Sequence, residues 1–409
     1  MEARQLLLEV YKRSIEAKTV VQKYAHRTPV VRSETFSRKC LCEVFLKLEN
    51  LQKTGAFKVR GALYKVYKLH RESVKGVVAA SAGNHAQGVA YSARVFGMRA
   101  VIVMPETASI AKVEATRGYG AEVVLYGSVY DDAERKAREI AEREGLYLVH
   151  PFDDIDIMAG QATIAWELLE QLPNFDVVVV PIGGGGLASG ILSVLKSVRP
   201  SIKVIGVEPA SAPKMKMSLE AGRPVTISPR PSLADGLVTK RPGELTFKIV
   251  SNYIDDIVVV DENELAEAII LLLERCKLLA EGAGAASIAA LLSGKVAGIE
   301  GKRVVCLITG GNIDVTALYR VIVQGMVRQG RVGILRGVVP DVPGSLRRVL
   351  DVVAAHRGNV LDIRHNRYDT RIDPWHAAVE ILVEVPSREA LDEMVKELKR
   401  IGLDFSVEA

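Results

Sequence analysis

Apolar and polar residues follow two rhythms along this chain. Over residues 6–24 the apolar positions return every three or four residues, which predicts an amphipathic helix. "CEVFLKLE" (42–49) predicts a strand and 59–70 a second helix. Short apolar runs and helical segments then alternate: "GVVAAS" (76–81), a helix over 86–96, "RAVIVMP" (99–105), "AEVVLYG" (121–127) and "DDAERKAREIAEREG" (131–145). The last is charged on one face and is stopped by Gly145. "FDVVVVPI" (175–182) sets four valines in succession with no polar face, the pattern of a strand buried on both sides. A glycine loop feeding a helix follows (183–198), then the strands "KVIGVEP" (203–209) and "RVVCLITG" (303–310). Such alternation predicts parallel sheets joined by right-handed crossovers. Residues 1–327 are therefore expected to form one α/β region of two open parallel-sheet lobes. The smaller lobe, about 48–150, is expected as an insertion in the larger.

The rhythm changes near Gly330. "GILRGVVP" (333–340) reads as a strand and "SLRRVLDVVAAHRG" (345–358) as a helix stopped by Gly358. "NVLDIRHNRYD" (359–369) and "HAAVEILVEVP" (376–386) read as strands. In the second, Ala377, Val379, Ile381, Val383 and Val385 make one apolar face. "REALDEMVKELKRIG" (388–402) closes as an amphipathic helix. This β-α-β-β-α run predicts a separate ferredoxin-like α+β domain over 328–409, behind a linker at 326–333.

Composition narrows the function. The chain has 409 residues, more than one hydrophobic core usually serves. Its net charge of +5 is spread without any basic block, which argues against nucleic-acid binding. No apolar run is long enough for a membrane span, and the charged N-terminus lacks a secretory apolar region, so a cytoplasmic location is expected. Cys40, Cys42, Cys276 and Cys306 have no zinc-ligand spacing and are expected as reduced thiols, with no metal site. His26, His70, His150, His356, His365 and His376 match no ligand spacing and read as structural or exposed.

The candidate chemistry lies in four stretches. In "KTGAFKVRGA" (53–62), Lys58 stands between Phe57 and Val59, enclosed by Gly55 and Gly61. In "PIGGGGLASG" (181–190), glycines allow close backbone approach, and a following helix offers its positive end to a phosphate. A dinucleotide is the rival ligand. Gly183, Gly185 and Ala188 loosely satisfy G-x-G-x-x-A, and Glu208 ends the next strand where a ribose contact belongs. That reading leaves Lys58 unexplained. "SAGNHAQG" (81–88) supplies a second strand-to-helix anion site suited to a carboxylate, and "TGGN" (309–312) puts a hydroxyl at a strand end. An amine beside a phosphate nest and a carboxylate nest fits pyridoxal phosphate.

These stretches occur in order with "HPFDD", "GVEP", "LADGL", "KRPGELTF" and "EGAGAAS". Together they resemble the threonine dehydratases (threonine ammonia-lyases) of the fold-type-II pyridoxal-phosphate enzymes, whose relatives include serine dehydratase and serine racemase. The end of the chain, with "PDVPGSL" at its first turn, resembles an ACT regulatory domain. The resemblance implies pyridoxal 5'-phosphate as cofactor, joined to Lys58 through a Schiff base, with Lys58 also taking the substrate Cα proton. It implies Phe57 beside the cofactor and Gly183, Gly184, Gly185, Gly186 and Leu187 around its phosphate. Asn84 would meet the ring hydroxyl, Thr309 the pyridine nitrogen, and Glu281 would lie near the ring. Ser81, Gly83, Asn84 and His85 would hold the substrate carboxylate, with Ala82 in the same loop. His85 as a mere helix cap, Glu281 as a core carboxylate and Asp235 as a turn former stay open as alternatives.

The implied reaction turns L-threonine into 2-oxobutanoate and ammonia, the first step towards isoleucine, with L-serine to pyruvate as a secondary activity. A neutral Thr309 would leave the ring a weaker electron sink than a carboxylate there, favouring prompt elimination. Family racemases carry serine where this chain has Ala82. A serine dehydratase or racemase is the nearest alternative, and a catalytically inactive amino-acid sensor a more distant one. Some relatives bind a divalent metal through the Glu of "GVEP" and an acid six residues on. Here the later position is Lys214, whose ammonium would repel a cation. "AGQAT" has Ala162 where relatives usually have glycine. For the ACT-like domain the resemblance implies an amino-acid effector, isoleucine or valine, near Asp341, Pro343, Gly344 and Asn359, and a homo-oligomer, dimer or tetramer.

Overall fold

The structure, a computed structural model, describes residues 1–408 and divides into two compact units, Met1–Ile313 and one beginning at Asp314. The division falls one helix earlier than the expected 327/328 boundary, because helix Val315–Arg328 groups with the second unit.

The first unit contains two sheets. The larger runs, in order, Val30–Arg32, Glu43–Leu48, Arg303–Ile308, Val177–Pro181, Lys203–Pro209, Asp256–Val260. Only the first pair is antiparallel. All five residues of Val177–Pro181 are buried, as the unbroken valine run predicts for a strand covered on both faces. Val178, Val180, Val305 and Leu307 pack with Leu6 and Val10 of helix Ala3–Tyr24 and with Ile191 and Leu195 of helix Gly186–Val198. The smaller sheet runs Glu122–Leu125, Arg99–Met104, Gly76–Ala80, Tyr147–Leu148, all parallel, and is inserted between two strands of the larger. Its alternate residues serve two cores. Val77, Ala79, Ile102 and Met104 meet Val89 and Ala90, while Val78, Ala80, Val101 and Val103 meet Ala133, Ala137 and Ile140.

One buried polar knot fixes the start of helix Lys58–Arg71. Arg60, in its first turn, donates to Glu49 (Nε to Oε2, 2.7 Å) and to Glu167 (Nη1 to Oε1, 2.7 Å), and Lys47 donates to Glu167 as well. Arg60, Glu49 and Lys47 have no exposed surface. Buried charges are tolerated only when paired and hydrogen-bonded in this way. The knot therefore sets the position from which Lys58 projects.

The second unit adds Val332–Pro340, Ser345–Ala355, Asn359–Asn366, His376–Glu384, Arg388–Arg400 and Phe405–Glu408 after its first helix. The four strands form an antiparallel sheet in the order Asn359–Asn366, His376–Glu384, Val332–Pro340, Phe405–Glu408. This β-α-β-β-α-β order is ferredoxin-like, completed by a last short strand that the sequence pattern did not predict. Leu335, Val339, Val379 and Ile381 pack under Val349, Val353, Leu391 and Leu398 of the two helices. Register corrects one expectation. Asn359 pairs with Glu384, as does Val332 at the start of its strand, whereas Pro340 pairs with His376. Asn359 thus lies at the end of the sheet opposite to Asp341, Pro343 and Gly344. The reason is topological: helix Ser345–Ala355 carries the chain back to the starting end before the next strand begins.

Candidate active site

A cavity of about 540 Å³ opens in the first unit where strands Gly76–Ala80, Val177–Pro181 and Arg303–Ile308 end. Carboxyl ends of parallel strands are where open α/β sheets gather ligands. The cavity is lined by Phe57, Lys58, the loop 81–85, the loop 183–187, Glu281 and Thr309, so all first-unit residues singled out for the cofactor and substrate meet in one place.

Lys58 begins its helix and its Nζ donates to Pro151 O at 3.0 Å. Burial pushes its pKa down to about 8, against the pull of the Glu281 carboxylate. The Phe57 ring centre lies 5.6 Å from Nζ, and Phe57 N–H donates to Thr309 O at 3.0 Å, tying the lysine's start to the strand end that carries Thr309. Thr309 is buried, its hydroxyl donating to Ala283 O at 3.2 Å.

Glu281 is buried, and its carboxyl is pushed up to about 7, first by burial and then by Asp235. Asn84 Nδ2 donates to Glu281 Oε1 at 2.7 Å, and Asn312 Nδ2 donates to Asn84 Oδ1 at 2.8 Å. The amide of Asn84 is thereby fixed from both sides. Gly55 has φ of +70°, and a Cβ there would stand 2.3 Å from Asn312 Oδ1, so this glycine makes room for the chain of amides.

The loop 183–187 is a cradle of backbone. Gly185 has φ of +100° and caps helix Gly186–Val198. A Cβ on Gly184 would stand 2.3 Å from the Phe152 ring. Side chains are excluded, and the free N–H groups of a helix start face the cavity, which suits a phosphate. With the Lys58 amine opening into the same cavity, the residues present fit both the phosphate and the aldehyde of pyridoxal phosphate.

In the carboxylate loop the structure refines the expectations. Gly83 N–H donates to Ser81 Oγ at 3.2 Å and so is already engaged. His85 Nε2 donates to Val149 O at 3.0 Å, and burial, followed by the Lys58 charge, holds the ring's pKa down at about 3. His85 is a neutral ring, and what remains for an anion is the set of unpaired N–H groups at the start of helix Asn84–Val95. The methyl of Ala82 lines the cavity. Asp235 both bonds within its own turn (Gly236 N to Oδ1, 2.7 Å) and borders the cavity, where it meets Lys112 at 3.2 Å.

Several lining residues escaped the sequence reading. His150, read there as structural or exposed, lines the cavity with Nδ1 accepting from Asp153 N at 2.8 Å. Asp153 in turn caps helix Glu244–Tyr253, accepting from Leu245 N at 2.9 Å and Thr246 N at 3.0 Å. The visible signal was "HPFDD", but the strand before it has only two residues and gives no pattern. Glu208, the ribose contact of the dinucleotide reading, has no exposed surface and accepts from Met215 N and Lys216 N, both at 2.9 Å. It cannot reach a ligand in the cavity, which removes that reading.

Residues 21–310 match the family model described as "Pyridoxal-phosphate dependent enzyme". An L-threonine ammonia-lyase of Thermotoga maritima is 44% identical over 393 residues, covering 96% of this chain and 98% of its own. Threonine deaminase isoform 2 from Solanum lycopersicum superposes with a TM-score of 0.73 at 36% identity, over 76% of this chain and 92% of that one. Maize serine racemase superposes with a TM-score of 0.71 at 35% identity, over 78% of this chain and 98% of that one. The chain belongs to the pyridoxal-phosphate dependent enzymes, with pyridoxal 5'-phosphate as its cofactor.

Proposed function

We propose that this chain is an L-threonine ammonia-lyase that releases 2-oxobutanoate and ammonia, with L-serine as a poorer substrate. The observation that carries the reading is Lys58, whose amine, held near pKa 8, opens into a cavity shared with a glycine cradle and a helix N-terminus. The resemblance over both units to an enzyme of that activity supports the choice of substrate. Bound pyridoxal phosphate supplies electron withdrawal that acidifies the substrate Cα–H. Loop 183–187 would hold its phosphate, and Lys58 its aldehyde carbon. The N–H groups at the start of helix Asn84–Val95 bind the substrate carboxylate. The Lys58 amine, freed from the aldehyde carbon when the substrate's amine takes its place and easily deprotonated near neutrality, would take the Cα proton. The β-hydroxyl would leave as water, the proton that Lys58 took balancing the one the hydroxyl gains, and the released enamine tautomerises and hydrolyses to the 2-oxo acid and ammonia.

Ala82 favours elimination over racemisation, because its methyl has no proton to return to the opposite face of Cα. The hydroxyl in that loop belongs to Ser81, whose Oγ accepts from Gly83 N–H at 3.2 Å. Comparing ammonia release from L-threonine, L-serine and D-serine tests this order. D-Serine produced faster than pyruvate from L-serine would replace the lyase by the racemase reading.

The second unit is proposed as an ACT-like regulatory domain that senses isoleucine or valine and pairs with a second copy in a homo-oligomer. Asp341 and Gly344 lie at the turn into helix Ser345–Ala355, with Asp341 accepting from Arg367 at 2.9 Å. Asn359, at the far end of the sheet, would join such a site only from another chain. The four unpaired thiols suit the reducing cytoplasm. Among the described residues no helix is long and apolar enough to cross a membrane. A chain ended after Ile313 that keeps its full response to isoleucine and valine would remove the regulatory role.

A further inference from the structure

Lys214 opens helix Lys214–Ala221, yet its side chain has no exposed surface. Its Nζ donates to Ile182 O at 3.0 Å, to Leu237 O at 3.0 Å and to Ala212 O at 3.3 Å, and stands 3.0 Å from Glu208 Oε1. Glu208 is equally buried, and the N–H groups of Met215 and Lys216 hold its carboxylate in place. An unpaired ammonium is strongly disfavoured in such surroundings, and four oxygens offset that penalty.

Two of those oxygens belong to segments that border the cavity. Ile182 directly precedes Gly183, the first residue of the cradle, and Leu237 lies in the turn that borders the cavity beside Gly236. The two segments touch here: a Cβ on Gly183 would stand 3.2 Å from Gly236 O. Without a cation between them, the inward-pointing carbonyls of Ile182 and Leu237 would repel each other. Their separation is therefore set by the ammonium group.

We infer that Lys214 is a tethered internal cation that positions the glycine cradle for the cofactor phosphate. Its four-oxygen cage is, by its chemistry, a monovalent-cation site. Three neutral carbonyls and one carboxylate suit a singly charged ion better than a divalent one, which takes more and harder oxygen ligands. Lys214 does not line the cavity. It acts through the backbone of Ile182 and Leu237, and removing its side chain leaves a cage that a small cation can refill.

The test is the affinity of the cofactor-free full chain for pyridoxal phosphate, titrated by visible absorbance. Pyridoxal, which lacks the phosphate, is the control ligand. Tetramethylammonium, too large for the cage, is the base cation, with potassium, ammonium or methylammonium added. Wild type should bind pyridoxal phosphate equally in every buffer. Lys214→Ala in tetramethylammonium should bind it about tenfold more weakly, the loss of a charged hydrogen-bonded partner, while pyridoxal binding changes little. Ammonium, methylammonium or potassium should then restore most of the affinity. Lys214→Met, which fills the space without charge, should stay weak in all buffers. The proposal is overturned if Lys214→Met binds pyridoxal phosphate as wild type does, or if wild type itself requires potassium. It is also overturned if Lys214→Ala loses both ligands alike and no cation restores them, or if Lys214→Ala fails to fold even with ammonium present.

Discussion

Replacing Glu281 by glutamine should stabilise the cofactor-free protein at pH 8 and lose most of that advantage by pH 5. The carboxyl, ordinarily near 4.5, is pushed up to about 7 by burial and by Asp235. The folded chain therefore keeps a proton that the unfolded chain gives up. That contribution is complete below pH 4.5 and is lost as pH rises through the folded value. Above pH 7 the folded state carries a buried charge disfavoured by about 3 kcal/mol, at roughly 1.4 kcal/mol per pH unit of difference. Glutamine keeps the oxygen that accepts from Asn84 at 2.7 Å and removes the charge. The difference in stability between variant and wild type should therefore shift by about 2–3 kcal/mol from pH 5 to pH 8. In a first unit of this size that corresponds to a change of roughly 5 °C in the difference of melting temperatures. Circular dichroism melts of both apo-proteins across that pH range supply the measurement. A difference that stays flat from pH 5 to pH 8 would refute the assignment of a buried, proton-holding Glu281.

Gly184→Ala should drive its new methyl into the Phe152 ring, destabilise the protein by about 1–3 kcal/mol and lower cofactor occupancy; unchanged occupancy and melting would count against the cradle. Arg60→Met leaves Glu49 buried without the guanidinium and Glu167 with Lys47 alone, and should destabilise by about 3–5 kcal/mol in denaturant titration; a loss under about 1 kcal/mol would mean the knot is not what fixes the helix start. Ala82→Ser restores a hydroxyl to the cavity loop and should yield measurable D-serine from L-serine by chiral chromatography. The complete absence of D-serine would weaken the account of why this chain eliminates.

The buried strands were legible because unbroken apolar runs such as Val177–Val180 have no other use, and the two anion loops because glycines cluster where backbone must approach a ligand. The large lobe between 210 and 302 was not. Helix Gly282–Leu292 is buried all round and built from small residues, so it carries no amphipathic period. Lys214 looks like a surface lysine in "KMKM", and only the fold brings Ile182, Ala212 and Leu237 carbonyls around it. His150 lacked a pattern because the strand before it is two residues long. Asn359 lies at the opposite end of the sheet from Asp341 because helix Ser345–Ala355 returns the chain to the starting end, a consequence of the β-α-β order that the sequence reading did not follow through to this residue. Residue types announced the chemistry, then, while the neighbours that tune it came from distant segments.

Release of 2-oxobutanoate from L-threonine by the purified holoenzyme, beside Lys58→Ala and with L-serine as competitor, bears on substrate and catalytic lysine together. Wild type should release it and prefer L-threonine to L-serine, while Lys58→Ala should release none above background. Release by Lys58→Ala at the wild-type rate, or none from wild type while serine is consumed, would contradict the assignment.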